Sequence, residues 1–217
     1  MIARKRTAVL ISGRGSNLQA LIDATSESAF PAEIALVLSN VAGAPGLARA
    51  AGAGIPVRTI PHQSYPSREA FDAAVNDVLR EYRIDLVCLA GFMRILSDGF
   101  VKAWESRIVN IHPSLLPAFK GIDVHRRVLE AGVRITGCTV HFVVAELDSG
   151  PIIAQAAVPV VEGDTEDSIA ARTLEAEHRL YPLALKLVAD GSARLAGGEV
   201  RYTDAPPADG TLFSPGL

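Results

Sequence analysis

Thr7-Ala8-Val9-Leu10-Ile11-Ser12-Gly13-Arg14-Gly15-Ser16-Asn17-Leu18 changes periodicity part-way along. Thr7 to Ser12 reads as a strand, and from Ser16 to Thr25 the residues Leu18, Leu21 and Ile22 recur at the i, i+3, i+4 spacing of a helix. A strand running straight into a helix is the first half of a βαβ unit, and the chain repeats the alternation. Glu33 to Leu38 is a second strand closing on Ser39-Asn40, and Gly46 to Ala53 is a short Ala-rich helix ended by Gly54. Pro56 to Ile60 is a short strand that Pro56 and Pro61 place near a sheet edge.

Ser67 to Tyr82 is the clearest helix, with Ser67 a good N-cap and Phe71, Val75, Val78, Leu79 and Tyr82 in one stripe. Asp85 to Ala90 is a continuous apolar strand buried on both faces and ending at Gly91. Ile108 to Ile111 follows as a strand, then a loop from Ser114 to Ile122 and a helix from about Asp123 to Ala131. After Ile135 the pattern changes. Thr139 to Val144 and Ile152 to Val161 are β-rich runs joined by a turn at Asp148-Ser149-Gly150, which makes a hairpin. Thr165 to Ala189 is a long closing helix in which Pro182 predicts a kink or break near Tyr181.

The expected class is α/β: a Rossmann-like, mostly parallel twisted sheet flanked by helices, with a C-terminal antiparallel hairpin and the long closing helix. No repeat or linker divides the chain, so one domain is expected over 1–217, with a core at 6–190 and a loosely ordered extension at about 191–217, where Gly197-Gly198 offers a hairpin turn. At 217 residues, 49% hydrophobic and 21% charged, the chain builds an ordinary globular core. A net charge of −3 argues against nucleic-acid and anionic-membrane partners. No apolar stretch approaches the ~18 residues of a membrane span. Cys88 and Cys138 lie in apolar runs without CxxC spacing and read as core residues of a reducing, cytoplasmic compartment.

Three stretches carry chemistry. In Ser12 to Asn17, the glycines and the first free N–H groups of the helix suit an anion such as a phosphate. The sequence is neither GxGxxG nor GxxxxGK[ST], and it also reads as a plain βα turn capped by Ser16 or Asn17; its place at the first such turn favours the anion. In Asn110-Ile111-His112-Pro113-Ser114-Leu115-Leu116-Pro117, an amide and an imidazole two residues apart project from one face of a strand that Pro113 ends. Asp148 is favourable turn chemistry in its own right. Facing His112, its charge would favour the imidazolium; spacing leaves that contact open. His141, alternating with apolar neighbours, is expected to face solvent or to stand behind the reacting atoms. No metal site is expected, since the five histidines include no HExxH or similar ligand set, and Ser114 lacks a GxSxG elbow.

Four stretches in order, Ile11 to Leu18, Leu89 to Leu96, Asn110 to Pro117, and Thr139 to Phe142 continuing to Asp148-Ser149-Gly150-Pro151, are similar to those of the folate-dependent phosphoribosylglycinamide formyltransferases of purine synthesis. The resemblance runs from about Thr7 to Pro182. It implies transfer of a formyl group from 10-formyltetrahydrofolate, as co-substrate, to glycinamide ribonucleotide, with Asn110, His112 and Asp148 catalytic. It further implies Gly15, Ser16 and Asn17 on the ribonucleotide phosphate, with Gly91, Pro113 and Glu177 completing that substrate's site. Met93, Arg94, Ile95, Leu96, Val144, Ala145, Glu146 and Leu147, together with Asn110 and Asp148, would form the pterin slot, and Arg68 would face the folate's acidic tail. Leu174, Lys120 and Asp123 depart from the implied pattern. Small-molecule partners and a monomer or homodimer are expected. The alternatives are a formyltetrahydrofolate hydrolase, another formyltransferase or, more remotely, a non-catalytic nucleotide-binding protein.

Overall fold

A computed structural model describes residues 4–203 and Ser214. The strands β1 (Lys5–Ile11), β2 (Ala32–Ser39), β3 (Val57–Thr59), β4 (Leu86–Leu89) and β5 (Ile108–His112) are parallel, and β6 (Ile135–Phe142) and β7 (Ile152–Pro159) add an antiparallel pair. They form one sheet in the order β3-β2-β1-β4-β5-β6-β7. The helices are α1 (Ser16–Thr25), α2 (Pro45–Gly52), α3 (Arg68–Glu81), α4 (Asp98–Ala103), α5 (Val124–Glu130) and α6 (Glu166–Ala189).

Strand alternation divides the core in two. Val9, Ile11, Val109 and Ile111 pack with Leu18 and Leu21 of α1 and Tyr181 and Leu185 of α6. Ala8, Leu10, Val87 and Ile108 pack on the other face with Phe71, Val75 and Leu79 of α3, Phe100 of α4 and Trp104 at its C-cap. A sheet covered on both faces needs strands apolar on both, and β1 and β4 are. The buried Tyr181 hydroxyl faces the Leu89 carbonyl at 3.0 Å and the Val109 carbonyl at 3.2 Å, which ties α6 to the ends of β4 and β5. The chain leaves β1 outward to β2 and β3, then returns to β4 on β1's other side. Strand order therefore reverses between β1 and β4, and ligands of open α/β sheets bind in the crevice such a reversal opens at the carboxyl ends of the strands.

Several expectations need correction. α6 is helical without a break from Glu166 to Ala189, with Pro182 inside it. Thr165 starts it through a capping box with Ser168. α4 was not predicted, because six residues are too few to show a period; it is nucleated by Ser97, whose Oγ accepts the Phe100 N–H at 3.3 Å. Within the stretch expected to be loosely ordered, β8 (Ala193–Ala196) and β9 (Glu199–Tyr202) form a hairpin around Gly197-Gly198, both left-handed. The rest of that extension, from 204 on, lies outside the described residues apart from Ser214. Cys88 and Cys138 are core residues, and burial pushes both thiols up to about 12. No helix of the described residues is long and apolar enough to cross a membrane.

Candidate active site

Asn110 and His112 share the face of β5 opposite the α1–α6 layer, as the two-residue period requires. On the antiparallel neighbour β6, His141 lies opposite Asn110 and Thr139 opposite His112. Val140 and Phe142 go to the core, so His141 is turned to the same face as Asn110. It is buried, contrary to a solvent-facing reading. Its Nδ1 lies 2.9 Å from the Phe142 carbonyl, which only accepts, so Nδ1 carries a proton. Burial lowers the His141 pKa, against the weaker pull of the Phe142 carbonyl and Asp148, which favours the neutral ring. Nε2 is then an acceptor, and it meets Asn110 Nδ2 at 3.2 Å. The Asn110 carboxamide is thus oriented by one N–H and keeps the other for a ligand.

Asp148 reaches this face through tight backbone geometry. Its own φ is 49°, a left-handed conformation that aspartate adopts more readily than most residues. Two residues on, a Cβ on Gly150 would stand 1.7 Å from the Phe142 carbonyl oxygen, so only glycine lets the turn lie this close on β6. Asp148 Oδ2 sits 3.4 Å from His112 Nδ1, with both side chains 7% exposed, and Oδ1 sits 3.8 Å from His141 Nε2. The loop after β5 closes over the pair. His112 Nε2 meets the Phe119 carbonyl at 3.0 Å, and Gly121 N–H donates to Asp148 Oδ2 at 2.8 Å. Both ring nitrogens of His112 therefore face oxygens, which a doubly protonated ring satisfies.

Thr139 anchors the start of that loop: its hydroxyl donates to the Ser114 carbonyl at 2.7 Å and accepts the Leu116 N–H at 3.0 Å. The Ser114 hydroxyl is buried and donates to the Ala118 carbonyl, so it is no nucleophile.

At the first βα turn the N-cap is Gly15, at φ 71°, and no side chain caps α1. Neither Ser16 nor Asn17 plays the capping role, so the first-turn N–H groups remain available to an anion. A Cβ on Gly15 would stand 2.8 Å from Gly46 Cα, which packs α2 against this turn. Asn17 Nδ2 donates to Glu177 Oε2 at 2.7 Å, linking α1 to α6. Burial raises the Glu177 pKa, opposed in part by the Asn17 amide. The fold therefore holds this proton to higher pH than the unfolded chain does, and stability falls as pH rises above the ordinary carboxylate value of about 4.3. Glu177→Gln, which still accepts from Asn17, is expected to melt above wild type at pH 7.5 and level with it near pH 4. Thermal melts at the two values check this, and an equal gain at both would refute it.

Two further segments follow strands β4 and β6. In Met93 to Leu96 the N–H groups of Arg94, Ile95 and Leu96 have no partner among the described residues, nor do those of Val144 and Ala145. Met93, Ile95 and Leu147 expose large apolar side chains, whereas Leu96 is buried and offers only its backbone. Gly91, at φ 70°, opens this segment, and Pro113 is half-buried beside His112. Glu146 pairs with Lys120 at 3.5 Å. Arg68 lies exposed in the first turn of α3 with no ion pair among the described residues. Among those residues no group of three or more His, Cys, Asp or Glu side chains is placed to hold a metal ion.

The formyl transferase family model matches residues 5–185. The chain belongs to the formyl transferase family. The resemblance drawn from the four motifs holds at that level. This formyl transferase is 49% identical over 187 residues to the phosphoribosylglycinamide formyltransferase of Escherichia coli (strain K12), covering 86% of the chain and 88% of that protein. It is 59% identical over 190 residues to the trifunctional purine biosynthetic protein adenosine-3 of Gallus gallus, with 88% of the chain spanning 19% of that much longer protein. Its fold matches glycinamide ribonucleotide transformylase 1 from Symbiobacterium toebii with a TM-score of 0.90 and 51% identity, over 93% of this chain and 95% of that one. Sequence reasoning did not place His141 against Asn110, and it missed Thr139 as the anchor of the loop. The period-two alternation of β6 puts both on the face of His112, but the strand register that sets them opposite β5 is a tertiary fact.

Proposed function

We propose that this formyl transferase moves the formyl group of 10-formyltetrahydrofolate to the primary amine of 5'-phosphoribosylglycinamide in de novo purine biosynthesis. The observation that carries this reading is the convergence of Asn110, His112 and Asp148 on one face at the carboxyl end of β5, with His112 and Asp148 buried and Asn110 half-buried. The amine attacks the formyl carbon, and negative charge develops on the formyl oxygen. The free N–H of Asn110 donates to that oxygen, one such donor contributing about 10²–10³ in rate, and the positive ring of His112 stabilises the charge through space. Asp148, through water, takes the proton the attacking nitrogen loses and passes it, again through water, to the folate nitrogen as the bond from that nitrogen to the formyl carbon breaks. No covalent enzyme intermediate forms.

The phosphate lies on the uncapped N-terminus of α1 at Gly15, Ser16 and Asn17, with Glu177 toward the ribose or glycinamide end. The pterin, rich in donors and acceptors, lies between the unpaired backbone of 94–96 and that of 144–145, and Arg68 faces the folate's acidic tail. Folate release is measured with glycinamide ribonucleotide as acceptor and with water alone. Release at least 10²-fold faster with the ribonucleotide is expected, and equal release in both arms would sink the transferase in favour of a hydrolase.

A further inference from the structure

Ser12 touches both of the regions assigned above to the two substrates. It follows β1 and opens the turn to Gly15. Its N–H donates to the Gly91 carbonyl at 3.1 Å, and its hydroxyl donates to Asn40 Oδ1 at 2.6 Å and accepts the Met93 N–H at 2.7 Å. Asn40 is 2% exposed and held from its other end, where Nδ2 meets His62 Nδ1 at 3.1 Å. The polarity of the Ser12 hydroxyl is therefore set: its single proton is committed to Asn40, and a lone pair faces Met93. Met93 precedes the three residues whose N–H groups have no partner among the described residues. At the far end of the segment the Ser97 N–H donates at 2.6 Å to Oδ2 of Asp72, which is 3% exposed. The segment has no internal hydrogen bond among the described residues; its polar backbone is held at these two anchors, beside the buried side chains of Phe92 and Leu96, and one anchor sits in the phosphate turn.

We propose that Ser12 is a positioning residue that couples the two substrate sites, a role that rests on the proposed reaction. A phosphate gathered by the first N–H groups of α1 fixes the turn and with it the Ser12 hydroxyl, which holds Met93 to Leu96 in register for the pterin. Linkage makes the effect reciprocal: folate binding tightens the ribonucleotide by the same factor.

The test titrates tetrahydrofolate, kept anaerobic, into wild type, Ser12→Ala and Ser12→Thr by calorimetry, with and without saturating glycinamide ribonucleotide. Wild type is expected to bind tetrahydrofolate about five- to tenfold more tightly with the ribonucleotide present. In Ser12→Ala the Met93 N–H loses its acceptor; folate binding weakens about tenfold and the coupling falls below about twofold. Ser12→Thr keeps the hydroxyl and recovers the coupling. A merely structural role for Ser12 would lower the melting temperature without moving the coupling ratio. Ser12→Ala with the wild-type ratio, or a wild type that transfers formyl with no coupling, overturns the proposal alone. A wild type that binds neither ligand and transfers no formyl overturns the reaction reading as well.

Discussion

Asp148→Asn is expected to lower kcat for formyl transfer about 10³-fold while moving KM for either substrate less than about threefold. The carboxylate lies 3.4 Å from His112 Nδ1, and neither side chain reaches water freely. An amide in its place removes the negative charge opposite the imidazole and the carboxylate proposed to take the proton of the attacking amine. Gly121 N–H still finds an oxygen to donate to, so the loop stays closed and the substrates still bind. Steady-state kinetics on Asp148→Asn, His112→Ala and the double variant check the claim. Residues that act as a unit lose activity once, so the double variant should fall little below the worse single one. A fully additive loss, or one carried by KM, would show that the two side chains act separately.

Gly150→Ala is expected to cost about 3 kcal/mol of stability and at least 10²-fold in kcat/KM. The added Cβ would lie 1.7 Å from the Phe142 carbonyl oxygen and 3.3 Å from His141 Nδ1. Strand β6 is buried and paired on both sides, so the turn must move instead, and Asp148 moves with it. The same displacement disturbs the His141–Phe142 contact that orients Asn110. Gly52→Ala, at the last residue of α2, is the control: nothing lies within 4 Å of its Cβ, so stability and activity are expected to stay near wild type. Urea denaturation of both variants, beside their kinetics, checks this; a Gly150→Ala protein as stable and active as wild type would mean the turn has room to shift.

The βαβ order was legible because each element carries its own period and its own stop, as Leu18, Leu21 and Ile22 do for α1 and Ser67 does for α3. α4 escaped because six residues show no period, and of the kink or break expected at Pro182 there is no break, because packing of Tyr181, Ala184 and Leu185 holds the helix through it. Asn110 and His112 stood out from their spacing alone. Their partners did not, since His141 comes to Asn110 by strand register and the Phe119 carbonyl to His112 by loop closure.

By itself the sequence determined most of the strands and helices, that the strands would be buried in a mostly parallel sheet, and that an amide and an imidazole would leave β5 on one face. These are local properties of periods two and 3.6. Only the tertiary structure decided that Asp148 faces His112, that His141 orients Asn110, and that Ser12 reaches Met93. Each of those contacts joins elements distant in sequence, and its distance is set by strand register and by the glycines that let two backbones approach.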